Sequence, residues 1–124
     1  MTDRRTRHAE QVAERRVALD EITADIEIAE HLRARHYENT ADLAALRRTA
    51  ADLAREIREL DELADSLAVY DVERLDNGRY RVTVCHDWTF ADGTDTADVA
   101  DADDYRHTWI EPRSYTGNQS RAPK

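Results

Sequence analysis

The sequence predicts an α+β protein in which a long N-terminal coiled-coil helix, or a helical hairpin, precedes a small antiparallel β-meander. Apolar residues recur at alternating steps of three and four from Ile22 to Leu67, the spacing of a helix that packs on another helix. No Gly or Pro interrupts the chain before Gly78, so no helix breaker ends this pattern. After Leu67 the apolar spacing changes to two, which is typical of strands.

These observations divide the 124 residues into three parts. Residues 1–68 form the helical rod, residues 69–111 a β-meander of three to four strands, and residues 112–124 a polar C-terminal tail. The tail contains Gly117 and Pro123 and is expected to become ordered only on a partner.

The rod presents an apolar seam that we expect to join copies of the chain. With 36% charged and 6% aromatic residues, the composition suits burial between chains better than a large monomeric core. A parallel dimer or trimer is therefore expected. The predicted oligomer seam consists of Ile22, Ile26, Leu32, Leu43, Leu46, Leu53, Ile57, Leu60 and Leu67.

The seam is weakest at residues 36–40, and two interpretations fit. His36 and Asn39 form a polar core layer if one helix continues, because a polar core residue can define register and oligomer state. Alternatively, the segment is a turn between antiparallel helices, with Asn39 or Thr40 as the cap and Asp42 in the first helical turn. The missing Gly and Pro favour the continuous helix, which would span about 90 Å.

The first β-turn is predicted at Asp76-Asn77-Gly78. A three-residue loop pairs Val72 with Val82 and Tyr70 with Val84, whereas a two-residue turn would bury acidic side chains. The same register sets Glu73 opposite Arg81 and places Gly78 at positive φ.

A second turn at Ala91-Asp92-Gly93 is expected to return the strand 79–90 into residues 94–99. Residues 105–111 add a possible fourth strand. Between Asp92 and Asp104 six acids occur without a base, which predicts a solvated edge or loop. The apolar face of the sheet is too large to stay exposed and needs a partner surface: Tyr70, Val72, Tyr80, Val82, Val84, Trp88 and Phe90.

Charge and cysteine content exclude several classes of protein. The net charge of −9 argues against nucleic-acid binding, which requires clustered cations. A single cysteine, Cys85, excludes an intramolecular disulfide, and no apolar run is long enough for a signal peptide or a membrane span. We expect a cytoplasmic or virion location. Seventeen of the 18 basic residues are Arg, a usage that resembles proteins of salt-loving archaea and their viruses, and less closely those of GC-rich actinobacteria and their phages.

No pattern identifies a reaction, a metal or a cofactor. The aspartates of residues 92–104 do not match the ligand spacing of an EF-hand. Cys85 and His86 are strand neighbours that point to opposite faces, so they cannot readily share a zinc ion or act as nucleophile and base. No catalytic residue, metal, cofactor or small-molecule substrate is predicted.

The expected function is therefore that of a non-enzymatic structural or connector subunit. It self-associates through the coiled coil and presents the β domain to other proteins of an assembly, in the manner of a virion or tail-fibre component. The alternative is an intracellular coiled-coil adaptor or regulator that binds a partner protein.

Overall fold

The structure, a computed structural model, describes residues 6–35 and 42–113. In chain order the elements are α1 (Thr6–Ala34), α2 (Leu43–Ala64), β1 (Val69–Arg74), β2 (Tyr80–Val84), β3 (Trp88–Phe90), β4 (Thr96–Val99), α3 (Ala102–Arg106) and β5 (Ile110–Pro112). This order confirms the α+β class, with helices first and a small antiparallel meander after them.

The two long helices form an antiparallel hairpin. Asp42 has an extended backbone and its carboxylate accepts a hydrogen bond from the Ala45 N–H at 3.1 Å, so a new helix begins there. An ion pair between Arg47 and Glu30 joins the helices near this end. The prediction of one continuous helix of about 90 Å is therefore wrong, and the alternative of a hairpin is correct. The 29 residues of α1 span about 43 Å.

The predicted polar core layer falls in the segment between the two helices. His36 and Asn39, together with the predicted break at 36–40, lie outside the described residues, as does residue 114 onward of the predicted tail. Asp42, which we expected in the first turn, is instead the N-cap itself. Its short side-chain acceptor fits this position, since it satisfies a backbone donor of the first turn.

Strands β1, β2 and β4 form an antiparallel sheet in that order. The register confirms Val72 opposite Val82 and Glu73 opposite Arg81. The predicted three-residue loop is also present, because Leu75 N donates to the Arg79 carbonyl at 2.8 Å. Gly78 has φ +89°, a conformation that L side chains rarely adopt.

The predicted pairing of Tyr70 with Val84 is wrong. The register shifts between Val69 and Asp71, so Val69 lies opposite Val84. The extra residue in β1 turns the small, β-branched Val69 to the buried side and leaves Tyr70 only half-buried.

The predicted long strand 79–90 is interrupted by a turn at residues 85–87. Trp88 N donates to the Cys85 carbonyl at 2.9 Å, which closes this turn and separates β2 from β3. The next turn occurs at 91–93 as predicted, with Gly93 at φ +86°. After this turn the chain returns to the main sheet, where β4 pairs with β2.

The predicted fourth strand begins later than expected. Residues 102–106 are helical because the Asp101 carboxylate caps them by accepting from Asp104 N at 2.8 Å. The chain then becomes extended at Ile110–Pro112, and this short strand pairs with β3 rather than with the main sheet.

The hairpin covers the apolar face of the sheet. Five predicted face residues are buried, namely Val72, Tyr80, Val82, Val84 and Phe90, while Trp88 and Tyr70 are partly buried. They share one core with Leu60 and Leu63 of α2, both 0% exposed. The partner surface that the sheet requires therefore comes from the same chain.

Candidate interaction surface

The predicted seam residues differ in burial along the hairpin. Ile57, Leu60 and Leu43 are buried within the chain. Five others are only half-buried: Ile22, Ile26, Leu32, Leu46 and Leu53. Leu67 follows the end of α2 and is 66% exposed. The seam thus packs α1 on α2, but much of it stays incompletely covered.

The end of the hairpin where α1 begins is called the proximal end. A helix cap from β1 holds it on the sheet. Both carboxylate oxygens of Asp71 accept backbone hydrogen bonds, from Arg7 N at 3.1 Å and from His8 N at 3.0 Å. These N–H groups belong to the first turn of α1, where no helical carbonyl can accept from them. The strand therefore caps the helix, and the negative charge of Asp71 lies at the positive end of the helix dipole.

Gln11 fastens α1 to the outer edge of β1. Its side-chain amide oxygen accepts from Arg74 N at 2.5 Å, and its amide nitrogen donates to the Arg74 carbonyl at 3.1 Å. The side chain thus takes the place of a neighbouring strand at this position. An edge that would otherwise offer free backbone groups to another strand is satisfied there.

A partly buried ion-pair cluster lies between the hairpin and the sheet. Glu56 accepts from Arg15 Nε at 2.8 Å, with both side chains 18% exposed, and lies 3.8 Å from Arg74. The Arg74 guanidinium is 4.9 Å from the centre of the Tyr80 ring. Burial raises the pKa of Tyr80, and the nearby Arg74 opposes that shift.

The contacts with the β region are concentrated at one end of the hairpin. The hydrogen bonds and ion pairs involve residues 7–11 of α1 and residues 56–62 of α2, including Glu59, which accepts from Ala102 N at 2.8 Å. The remaining part, residues 17–34 and 43–55, is called the distal hairpin below. Its half-buried seam residues extend past the sheet.

The acidic stretch is more structured than expected. Asp98 binds Arg81 through two hydrogen bonds of 3.0 and 3.4 Å, and Asp104 lies 3.9 Å from Arg79. Hydrogen bonds from Thr94 lower the pKa of Asp92. The prediction of a solvated edge or loop is confirmed, because β4 is an edge strand of the sheet and most of residues 92–104 are exposed. The pairing of β4 with β2 also brings arginines of that strand to these acids.

The candidates for metal chemistry remain dispersed. Among the described residues, no group of three or more His, Cys, Asp or Glu side chains could hold a metal ion. Cys85 is half-buried in the turn after β2, whereas His107 is exposed after α3, with its Nδ1 2.9 Å from the Asp103 carbonyl. No helix of the described residues is long and apolar enough to cross a membrane.

Two clefts open on the surface of the described residues. One, of about 190 Å³, is lined by Arg7, Asp71, Glu73 and Arg81, whose side chains already bind one another or neighbouring groups. The other, of about 270 Å³, lies between Phe90, Ala97 and Trp109 and is shallow. Neither cleft brings catalytic groups together.

Several important residues were not found in the sequence analysis. Asp71 and Gln11 were missed because each acts on backbone more than 60 positions away. Leu63 was missed because it lies outside the predicted seam, although an apolar residue one turn after Leu60 could have indicated a second buried face of α2.

The described residues define an α+β protein in which a helical hairpin is capped and fastened by a small antiparallel sheet. No family model matches the chain, and no curated protein or solved structure is significantly similar to it.

Proposed function

We propose that this protein is a non-enzymatic connector that associates with other copies of itself through the distal hairpin and carries the β unit at the other end. The observation that supports this proposal is the incompletely buried seam of the distal hairpin, which includes Ile22, Ile26 and Leu53. Two helices alone cannot enclose a seam of this width, and the sheet covers only the proximal part.

Two hairpins that face each other through these open seams would form a four-helix bundle. Such a bundle buries the part of the leucine and isoleucine side chains that one hairpin leaves exposed, and each newly buried CH₂ group contributes about 0.8 kcal/mol. We call this assembly the seam dimer. Its β units remain attached through the Asp71 and Gln11 contacts and are free to engage other proteins.

A virion or tail component is one setting for such a connector. The arginine-rich, lysine-poor composition and the combination of helices with a small sheet support it. The hairpin shortens the helical part from about 90 Å to about 43 Å, so a joint between subunits fits this geometry better than a long fibre shaft.

A second candidate is an adaptor or regulator that binds a different protein. The hairpin itself favours this candidate, because an amphipathic helix from a partner could fill the same open seam. The two candidates differ in whether the chain associates with itself.

Light scattering at several chain concentrations tests the proposal. We expect the wild-type mass to exceed that of one chain, and Leu53→Asp to lower it, because a carboxylate in the closed seam would lose water without gaining a partner. Ala54→Asp, at the neighbouring exposed position, is the matched control and should keep the wild-type mass. A wild-type protein that remains a single chain at every concentration would contradict self-association and favour the adaptor.

A further inference from the structure

The faces of α1 and α2 that point away from each other differ in chemistry. On α1 the back face carries Ala13, Val17, Ala24 and Ile28, spaced at four, seven and four residues. Val17 and Ile28 are 60% and 59% exposed. This stripe lies opposite the seam, so α1 is apolar on two sides.

Acidic side chains border the α1 back face. From Asp20 to Glu30 the helix has five acids and no base. Glu21 and Asp25 are exposed and form no ion pair with a described residue. A surface that is both close-fitting and basic would complement this apolar stripe and the acids beside it.

The back face of α2 has this character. Ala44, Arg48, Ala51 and Arg55 follow at steps of four, three and four and are all exposed. Among the described residues, Arg48 forms no ion pair and Arg55 forms one only with Asp52 of its own helix, at 3.0 Å. The two alanines leave room for a second helix to approach closely.

We propose that the α1 back face of one copy packs on the α2 back face of the next copy, in a head-to-tail contact distinct from the seam. The inference rests on the proposed self-association and names its second interface. Because the two surfaces differ, the contact is heterologous and leaves a free α2 face and a free α1 face at the two ends. It therefore extends the seam dimer into larger assemblies.

The antiparallel register within the hairpin supports this packing. If the next copy continues the same register, Ala24 comes opposite Ala51, so two small residues meet where the helices cross most closely. Ile28 then comes near Ala44. The alanines let the two helices approach closely, and Ile28 fills space beside Ala44 as a ridge fills a groove.

The same register brings opposite charges together. Glu21 comes near Arg55, and Asp25 comes near Arg48. The acids of α1 would thus gain partners that the single chain does not provide. Complementary charge favours the correct partner and disfavours an α1-on-α1 contact, in which the acids would face acids.

Charge reversal with mutual rescue tests the contact. The acid-reversed variant is Glu21→Arg with Asp25→Arg, and the base-reversed variant is Arg48→Glu with Arg55→Glu. All four positions are exposed, and circular dichroism should record the wild-type fold. Each variant by itself should lose the larger species in light scattering and keep the mass of the seam dimer.

Combining the acid-reversed and base-reversed substitutions should restore the contact. A 1:1 mixture of the two variants, or one chain with all four substitutions, should recover the wild-type mass. Arg33→Glu with Arg35→Glu changes net charge as much as the base-reversed variant does, and should keep the wild-type mass. If the four-fold variant stays as small as the separate variants, the proposed contact is wrong.

Other outcomes separate this inference from the proposed function. A wild-type mass that Leu53→Asp lowers but neither reversal changes would overturn the back-face contact and leave the connector function standing. Loss of the larger species in the acid-reversed variant alone would show that Arg48 and Arg55 are not part of the contact, and would also overturn it. A wild-type protein that is always a single chain would contradict both.

Discussion

At the scale of single residues, Tyr105 joins three parts of the molecule. Its ring is 4% exposed and makes an edge-to-face contact with Phe90, with centroids 6.4 Å apart. Its hydroxyl donates to the carbonyl of Leu67 at 2.7 Å, just after α2 ends. Burial, and to a smaller extent the proximity of Cys85, raises the pKa of Tyr105 from 10.0 to about 12. The neutral phenol is therefore part of the packing between α3 and the end of the hairpin.

This shift predicts a loss of stability in alkali. The folded chain holds the Tyr105 proton more tightly than the unfolded chain, so its contribution is fully present below pH 10.0 and is lost as pH rises through about 12. We expect the free energy of unfolding in urea to fall across this window. Tyr105→Phe should remove that part of the fall and cost about 1 kcal/mol at neutral pH, since the Leu67 carbonyl loses its donor. An unchanged alkaline profile in Tyr105→Phe would contradict the role given to this hydroxyl.

At the scale of elements, the beginning of α1 depends on β1. The first turn of α1 contains no acid, and its free N–H groups are satisfied by Asp71 from the sheet. A helix cap usually comes from the residue just before the helix. Here it comes from a strand far along the sequence, so formation of the helix end and docking of the hairpin are coupled.

Asp71→Ala should therefore destabilise the fold by about 1 kcal/mol or somewhat more, as measured by urea unfolding. The substitution removes both acceptors of the Arg7 and His8 N–H groups. Asp71→Asn retains one oxygen acceptor and should cost less. Asp20→Ala changes an exposed acid within α1 and should not destabilise. Equal stabilities of Asp71→Ala and the wild type would show that water caps the helix equally well.

Local chemistry predicted much of this fold. The helical spacing, the three-residue loop that ends at Gly78 and the Val72–Val82 pair depend on neighbours in sequence, and all three are confirmed. What sequence spacing could not determine is which surface each apolar face contacts. A heptad seam has the same spacing whether its partner helix is in the same chain or in another. The cap from Asp71 likewise depends on a contact between distant segments.

The candidate surface was predictable only in part. Seam residues such as Ile22 and Leu53 followed from the period, but their incomplete burial depends on how far the sheet extends along the hairpin. The back face of α1 was not recognised, because its apolar stripe is weaker than the seam and appears only after the seam residues are assigned. Its oligomeric role, like that of the seam, stays a prediction.

At the scale of the whole molecule, the net charge of −9 is distributed unevenly. In the acidic stretch 92–104, Asp98, Asp103 and Asp104 lie close to arginines. On the distal part of α1, in contrast, Glu21 and Asp25 lie one helical turn apart and form no ion pair with a described residue. Like charges at this spacing destabilise a helix by about 0.3 kcal/mol. Repulsion within the single chain is therefore concentrated on the hairpin rather than on the sheet.

This distribution predicts how the melting temperature of the wild-type chain depends on salt. The screening length falls from about 30 Å at 0.01 M to about 3 Å at 1 M, so salt relieves repulsion between exposed acids. At chain concentrations where light scattering records single chains, we expect the melting temperature to rise between about 0.05 and 1 M monovalent salt. Potassium and sodium chloride should act alike, because screening does not distinguish them. A melting temperature that falls or stays level would contradict this distribution of repulsion.

The same reasoning predicts which acid limits stability. Glu21→Gln should raise the melting temperature at low salt and flatten its rise, since it removes one member of the unpaired acidic pair. Asp98→Asn makes the same change in net charge but weakens the two hydrogen bonds to Arg81, so it should not raise the melting temperature. If both variants raise the melting temperature equally, the total charge rather than its position limits stability.

Calcium separates screening from specific ion binding. A large rise in melting temperature with millimolar calcium that monovalent salt cannot reproduce would indicate a specific cation site, because screening alone does not require coordinating oxygens.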